Sequence, residues 1–188
     1  MEMVRTFIAI TLPMEVKSEM AAVSSELSQQ CPPRSVRWVK TAQMHLTLRF
    51  LGDTAVSTLR QLTSDLDRIA SWHNSFGLKL NSLGCFPNKK RTRVIWIGLG
   101  GELDAAQKLQ AEIETAVVAH GWQVENRPFQ PHLTIGRVKN SVALNNLKWD
   151  TAVKQVEFEV TAVHLVESQL QPSGAIYTIR HTSQLLNP

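Results

Sequence analysis

A four-residue pattern, His-Leu-Thr followed by an aliphatic residue, occurs twice in this chain of 188 residues. It reads HLTL at residues 45–48 and HLTI at residues 132–135, about half a chain length apart. Side chains two positions apart on a β-strand point to the same face. Each copy therefore places an imidazole and a hydroxyl on one face and aliphatic side chains on the other, where Phe50 is also expected. A chain that repeats such a strand is expected to fold as a duplicated structure.

The segments around the two copies also repeat. Apolar residues two apart predict strands, and apolar residues three and four apart predict helices. In the first half these patterns predict strands at 6–13, 36–40, 44–52 and 76–86, and helices at 14–30 and 56–72. In the second half they predict strands at 93–100, 132–138, 153–168 and 174–185, a hairpin turn at 171–174, and a helix at 102–121. The polar interval 141–150 lacks periodicity, so a second helix there is short or absent.

This order of segments predicts the α+β class. Strand, helix, strand and strand follow one another twice, which indicates two lobes of antiparallel sheet and helices, related by an approximate two-fold axis around a central cleft. We interpret residues 1–188 as a single bilobal domain with repeats at about 4–87 and 91–188. The last strand could alternatively cross back and complete the first lobe.

The composition is that of a globular protein. Hydrophobic residues make up 43% and charged residues 19% of the chain, which excludes an intrinsically disordered sequence. No apolar run approaches the roughly 20 residues of a membrane-spanning helix, and the N-terminal segment lacks a basic leader and a cleavage site. Cys31 and Cys85 form no disulfide or metal-binding pattern. We therefore expect a cytoplasmic protein with free thiols, no membrane association and no obligate protein partner.

Positive charge is concentrated in the first half. Residues 1–94 contain 13 Lys and Arg against 7 Asp and Glu, whereas residues 95–188 contain 7 against 9. Such a basic half suits a polyanion such as nucleic acid. The densest cluster is formed by Lys89, Lys90, Arg91 and Arg93. These side chains are candidates for contacts with an RNA backbone, and a solvated loop is the alternative interpretation.

A two-fold axis between the lobes would place His45 and His132 across the cleft from each other. Two opposed histidines suit in-line displacement at phosphorus, because a neutral imidazole removes a proton from the nucleophile while a protonated one protonates the leaving oxygen. The histidine pKa near 6.5 allows both states at neutral pH. The hydroxyls of Thr47 and Thr134 and nearby backbone N–H groups can donate to the phosphate oxygens on which charge develops. This chemistry requires no metal and no cofactor.

With these motifs the chain resembles the 2H phosphoesterase superfamily, and within it the bacterial and archaeal RNA 2′,3′-cyclic phosphodiesterases, once called 2′-5′ RNA ligases. The resemblance rests on residues 45–48 and 50–52, on residues 131–135 with Arg137, and on residues 5–10 and 93–98. It implies a bilobal α+β fold with both motifs in one cleft. It also implies hydrolysis of a 2′,3′-cyclic phosphate on an RNA end to the 2′-phosphate, with weak reversible 2′-5′ ligation as a side activity.

The resemblance implies roles for individual residues. His45 would protonate the leaving 3′-oxygen and His132 would activate water, although the approximate symmetry allows the two roles to exchange. Arg137 matches an arginine that contacts phosphate. Strict alternation places Arg137 on the aliphatic face, so a bulge near Gly136 or the strand end has to turn it into the cleft. Two aromatic residues are candidates for a pocket wall or a base-stacking surface, with burial in the core as the alternative: Phe7 and Phe50.

Two other classes of protein stay open. A metallohydrolase could use both histidines as ligands, but it needs a third ligand at suitable spacing, and the sequence contains no HxH, HExxH or DxH cluster. A non-catalytic module that binds RNA ends could share the fold, although such a module needs no paired acid and base. The expected ligand of the enzyme is RNA that ends in a 2′,3′-cyclic phosphate, such as a tRNA fragment or an oligonucleotide.

Overall fold

The computed structural model describes residues 2–139, 144, 146–172 and 174–187, and these residues form nine strands and three α-helices. The strands are β1 (Met3–Thr11), β2 (Val36–Trp38), β3 (His45–Ala55), β4 (Phe76–Phe86), β5 (Val94–Gly101), β6 (His132–Val138), β7 (Glu157–Val160), β8 (Ala162–Gln171) and β9 (Gly174–Gln184). The helices are α1 (Met14–Ser28), α2 (Val56–Ala70) and α3 (Leu103–Ala119). Ser173 of the predicted turn and part of the interval 141–150 lie outside the described residues.

The strands form two antiparallel sheets with matching arrangements. The first sheet has the order β3-β1-β8-β9, and the second has the order β2-β6-β5-β4-β7. Strands β3, β1, β8 and β9 of the first sheet correspond, in that order, to β6, β5, β4 and β7 of the second. The second sheet has β2 as an additional edge strand. The predicted α+β fold of two antiparallel lobes is thereby confirmed.

The two sheets do not follow the two halves of the sequence. Strands β2 and β4 come from the first half but belong to the second sheet, whereas β8 and β9 come from the second half and belong to the first. The boundary near 87–91 is therefore not the boundary between the sheets. The alternative, in which the last strand crosses back to the first lobe, agrees with the pairing of β9 with β8 and of β8 with β1.

The single strand predicted at 153–168 is wrong. The chain forms β7, which pairs with β4 in the second sheet, and then β8, which pairs with β1 in the first sheet. Exposed Thr161 lies between these two strands. The prediction failed because residues 162–167 are all buried, so their side chains carry no alternation that would mark a new strand with new neighbours.

The hydrophobic core explains which faces the helices turn inward. Helix α2 buries Leu62, Leu66 and Ile69, and α3 buries Leu109 and Ile113, at the three- and four-residue spacings of a helix face. Burying a side chain of this size contributes about 1.5–3 kcal/mol to the free energy of unfolding. All five belong to one large apolar cluster that also includes the inner faces of both sheets.

A second, smaller apolar cluster lies apart from the main core. It contains Phe7 and Ala9 of β1 and Val166 of β8, with Tyr177 of β9 packed against it. Phe7 and Ala9 alternate with the main-core residues of β1, so this cluster covers the opposite face of the first sheet. That face carries the first histidine motif.

Candidate active site

The structure brings the two motif strands together. His45 is the first residue of β3 and His132 is the first residue of β6, and these two strands contact each other where the sheets meet. Thr47 and Thr134 are half-buried, as both histidines are. Among the described residues neither threonine hydroxyl forms a hydrogen bond, so both donors are available to a ligand.

The two histidines are held by the same hydrogen bond. Nδ1 of His45 lies 2.7 Å from the carbonyl oxygen of Gln43, and Nδ1 of His132 lies 2.7 Å from that of Gln130. A carbonyl oxygen can only accept, so Nδ1 carries the proton and donates it in both rings. Nε2 of each ring is then the atom that accepts a proton when the imidazole is neutral and donates one when it is charged. The sequence offers a signal for this arrangement, since glutamine stands two positions before each histidine.

Gln43, whose carbonyl oxygen accepts from His45, is itself hydrogen-bonded to strand β9, which is distant in the sequence. Nε2 of the Gln43 side chain donates to the carbonyl oxygen of Ala175 over 2.6 Å. The ring of His45 also packs on aromatic side chains, with its centroid 4.7 Å from Phe7 and 5.4 Å from Tyr177. Sequence reasoning missed Tyr177, because it lies on a strand that was assigned first to the other lobe.

His132 packs on a different aromatic pair. Its centroid lies 5.0 Å from that of Phe86 and 6.1 Å from that of Trp96. The Trp96 ring lies directly over Gly84 of the neighbouring strand, where a Cβ atom would come within 2.1 Å of Cη2 of the tryptophan. The absence of a side chain at Gly84 therefore leaves space for the ring of Trp96, which packs against His132. Neither Phe86 nor Gly84 was predicted, since nothing in the local sequence marks them as neighbours of the motif.

Burial and positive charge lower the pKa of both histidines. Burial is the larger cause, and the hydrogen bond to the backbone carbonyl opposes it. The positive charge of Arg137 lowers the pKa of both rings, and that of Lys17 lowers the pKa of His45 further. Both rings therefore favour the neutral form more strongly than a free imidazole does. An anion in the cleft would offset this positive charge and favour protonation of a ring.

A β-bulge in β3 determines where Phe50 lies. Leu48 has no partner on β1, because the register shifts between the pairs that Thr47 and Arg49 make with that strand. The placement of Phe50 on the aliphatic face is therefore wrong. Its side chain is 58% exposed, and its ring lies 5.9 Å from that of Phe7. Phe7 itself is only 3% exposed, so burial in a core applies to Phe7 and not to Phe50.

A matching bulge in β6 turns Arg137 toward the cleft. Ile135 has no partner on β5, because the register shifts between the pairs made by Thr134 and Gly136. Arg137 consequently lies on the same face as His132 and Thr134, and it is exposed. The bulge that the sequence interpretation of Arg137 required is present.

The two bulges give the two sides of the cleft the same backbone arrangement, but the side chains at equivalent positions differ in chemistry. Each bulge follows its histidine by three positions, so Phe50 and Arg137, five positions after His45 and His132, occupy equivalent places. One side of the cleft therefore presents an aromatic ring, and the other presents a guanidinium. A nucleotide offers matching groups, since its base stacks on aromatic rings and its phosphate binds guanidinium groups.

The basic segment at 89–93 lies apart from the histidines. It follows β4 and forms a short turn in which the Asn88 side chain accepts from two backbone N–H groups. Lys89 lies over the ring of Trp149, with Nζ 5.8 Å from its centroid. The four cationic side chains of the segment 89–93 are exposed. No contact links them to His45 or His132 within the described part of the chain.

Each of the other four histidines bonds to a nearby polar side chain. The pairs are His73 with Glu112, His120 with Asp65, His181 with Asp67, and His164 with Thr11 and Thr182. These contacts give the four rings structural roles. No three His, Cys, Asp or Glu side chains are grouped to hold a metal ion among residues 2–139, 144, 146–172 and 174–187. Over the same residues, no helix is long and apolar enough to cross a membrane.

Comparisons with known proteins agree with this architecture. Residues 15–172 match the 2′-5′ RNA ligase superfamily. The RNA 2′,3′-cyclic phosphodiesterase of Thermotoga maritima is 31% identical over 185 residues, which cover 96% of this chain and 95% of that protein. The enzyme of the same name from Aquifex aeolicus is 30% identical, with 95% and 96% covered. The crystal structure of Escherichia coli LigT with 3′-AMP has a TM-score of 0.80 at 26% identity and covers 99% of this chain and all of LigT.

Proposed function

This chain belongs to the 2′-5′ RNA ligase superfamily, and on that premise we propose that it is a metal-independent RNA 2′,3′-cyclic phosphodiesterase that leaves a 2′-phosphate. Relatives of about 30% identity that carry the name RNA 2′,3′-cyclic phosphodiesterase span nearly the whole chain. The observation that carries the proposal is the pair of identical Nδ1 hydrogen bonds of His45 and His132. They leave two equivalent Nε2 atoms, on contacting strands, for proton transfer at one phosphorus.

The two histidines divide the proton transfers between them. The hydrogen bond of His132 is exposed, whereas that of His45 is partly buried beside Phe7 and Tyr177. Water reaches the less enclosed hydrogen bond and ring of His132 more easily, so Nε2 of His132 serves as the base that removes a proton from the attacking water. Nε2 of His45, protonated once the anionic substrate is bound, protonates the leaving 3′-oxygen.

The proton and bond changes balance. The water oxygen forms a bond to phosphorus as the bond from phosphorus to the 3′-oxygen breaks, one proton moves to His132, and one leaves His45. The product has a 2′-phosphate and a free 3′-hydroxyl, and proton exchange with solvent restores both rings. When the 5′-hydroxyl of a second RNA replaces water as the nucleophile, it gives its proton to His132, its oxygen bonds to phosphorus as the bond to the 3′-oxygen breaks, and a weak 2′-5′ ligation results. Microscopic reversibility allows the same groups to cleave that 2′-5′ bond and re-form the cyclic phosphate.

Three donors are available for the charge that develops on the phosphate oxygens. They are the hydroxyls of Thr47 and Thr134, which have no partner among the described residues, and the guanidinium of Arg137. The exposed ring of Phe50 provides a stacking surface for the base, and Phe7 forms the buried wall behind it. The cluster formed by Lys89, Lys90, Arg91 and Arg93 is a further candidate for contacts with the backbone of longer RNA.

Turnover in the presence of EDTA tests the function. The protein is expected to open a nucleoside 2′,3′-cyclic phosphate in EDTA, with a 2′-phosphate as the product identified by phosphorus NMR. His45→Ala and His132→Ala are each expected to lower kcat by at least about 10²-fold. Loss of activity on chelation that a metal restores would favour a metallohydrolase, and tight binding without turnover would favour a non-catalytic RNA-end-binding module. A 3′-phosphate product would contradict the choice of leaving oxygen.

A further inference from the structure

Arg37 and Arg137 form a cross-strand pair beside the cleft. Arg37 of the edge strand β2 lies directly opposite Arg137 of β6 in an antiparallel pair. Residues directly opposite each other share a face, with Cβ atoms about 5 Å apart. The bulge at Ile135 has already turned that face of β6 toward the cleft, so Arg37 lies on the cleft face as well. Both side chains are exposed.

This pair lacks the ion pairs that four other arginines form. Arg49, Arg68, Arg127 and Arg180 each form an ion pair with a carboxylate. Neither Arg37 nor Arg137 has such a partner or a side-chain hydrogen bond among the residues that the structure describes. Like charges directly opposite each other on a sheet are destabilising. Two facing guanidinium groups without an ion-paired carboxylate are therefore suited to an anionic ligand that contacts both.

We propose that Arg37 binds the phosphodiester that precedes the terminal nucleotide, beside the reacting phosphate that Arg137 contacts, so that the enzyme prefers oligonucleotides to mononucleotides. This inference rests on the proposed function. Arg137 lies on the same face of β6 as His132 and Thr134, which is the side of the cleft where the reacting phosphate is proposed to bind. Arg37 lies one strand further out, about 4.8 Å from β6, so an oligonucleotide that continues across β2 from its cyclic end would pass this guanidinium.

The chemistry of the two substrates separates this site from the catalytic one. A nucleoside 2′,3′-cyclic phosphate carries only the reacting phosphate, whereas a dinucleotide that ends in the cyclic phosphate adds one phosphodiester. Arg37 can therefore affect only the second substrate. Its guanidinium supplies two parallel N–H donors to phosphate oxygens, which a lysine ammonium cannot reproduce.

The experiment compares kcat/KM for both substrates in the wild-type protein and in Arg37→Gln. We expect Arg37→Gln to lower kcat/KM for the dinucleotide about 10-fold, the effect of one hydrogen-bonded charge, and to leave the nucleoside cyclic phosphate unchanged. The salt dependence of log kcat/KM for the dinucleotide should lose about 0.7 of its slope. Arg37→Lys should retain the salt slope and lose part of the rate.

Arg60→Gln is the matched control, because Arg60 is an exposed arginine on α2 and its replacement changes the net charge equally. It should leave both substrates unaffected, and thermal unfolding should be the same for all variants. Equal loss on both substrates in Arg37→Gln, or no loss on either, would overturn the inference while the proposed function stands. A wild-type protein that opens neither substrate would refute the proposed function itself.

Discussion

Replacing Gly84 by alanine is expected to displace the ring of Trp96 and, through it, His132. A Cβ atom at residue 84 would lie 2.1 Å from Cη2, 2.3 Å from Cζ2 and 2.5 Å from Cζ3 of the tryptophan. Because carbon atoms in contact need about 3.5 Å, the ring has to move by roughly 1.4 Å. Overpacking of this kind lowers the free energy of unfolding by about 1–3 kcal/mol.

The catalytic effect should exceed the effect on stability. Trp96 and His132 are in contact, and a displacement of about 1 Å in a positioned catalytic group can lower the rate about 10²-fold. The assay is kcat for a nucleoside 2′,3′-cyclic phosphate at a temperature where every variant is folded. Gly77→Ala is the matched control on the same strand, because a Cβ atom there would lie 3.5 Å from Oε2 of Glu102, an ordinary contact.

A second substitution separates the steric explanation from other effects. The atoms of Trp96 that meet the new methyl group form the outer edge of the indole. A phenylalanine side chain is shorter and has no atoms at these positions. Nε1 of Trp96 is buried and has no hydrogen-bond partner among the described residues, so Trp96→Phe removes no hydrogen bond. The double variant of Gly84→Ala with Trp96→Phe should recover much of the lost kcat. Wild-type kcat and an unchanged Tm in Gly84→Ala alone would refute the reasoning.

Three further predictions concern other parts of the molecule. The lowered pKa of both motif histidines places the optimum of kcat/KM below about pH 6.5, and kcat/KM should decline at higher pH as the protonated donor is lost. Because the charge of Arg137 contributes to the lowered pKa, Arg137→Gln should move this decline to higher pH. An optimum above pH 8 would contradict the prediction. Glu114→Gln leaves the largely buried charge of Arg49 without its carboxylate, 2.6 Å away, and should lower the free energy of unfolding in urea by about 3 kcal/mol; an unchanged midpoint would argue against it. Phe50→Ala should raise KM about 10-fold and change kcat little, because base stacking contributes about 1–3 kcal/mol, and an unaltered KM would exclude the stacking role.

Local periodicity was sufficient for most elements. The apolar spacing in α2 and α3 and the alternation in β3 and β6 predicted helices and strands within a few residues of their observed bounds. The pairing of an imidazole with a hydroxyl on one strand face also followed from the sequence, since alternation needs only two neighbouring positions.

The sequence could not predict features that depend on a partner strand. The bulge at Leu48 exists only relative to β1, and it decides that Phe50 faces the cleft. The bulge at Ile135 was expected only because Arg137 matches a phosphate-binding arginine, and the strand pattern itself does not indicate it. The fully buried run at 162–167 concealed the passage from one sheet to the other. Tyr177 and Phe86 reach the histidines from strands that are distant in the sequence, so no local pattern identifies them.

The exchange of strands between the sheets has a mechanical consequence. The chain passes from one sheet to the other between β1 and β2, β2 and β3, β3 and β4, and β7 and β8. Swinging one lobe away from the other would strain all four connections and expose part of the apolar core that the two sheets share. Four connections thus join the two lobes, whereas a simple hinge has one or two. We therefore expect the gap between the two histidines to change little when a substrate binds.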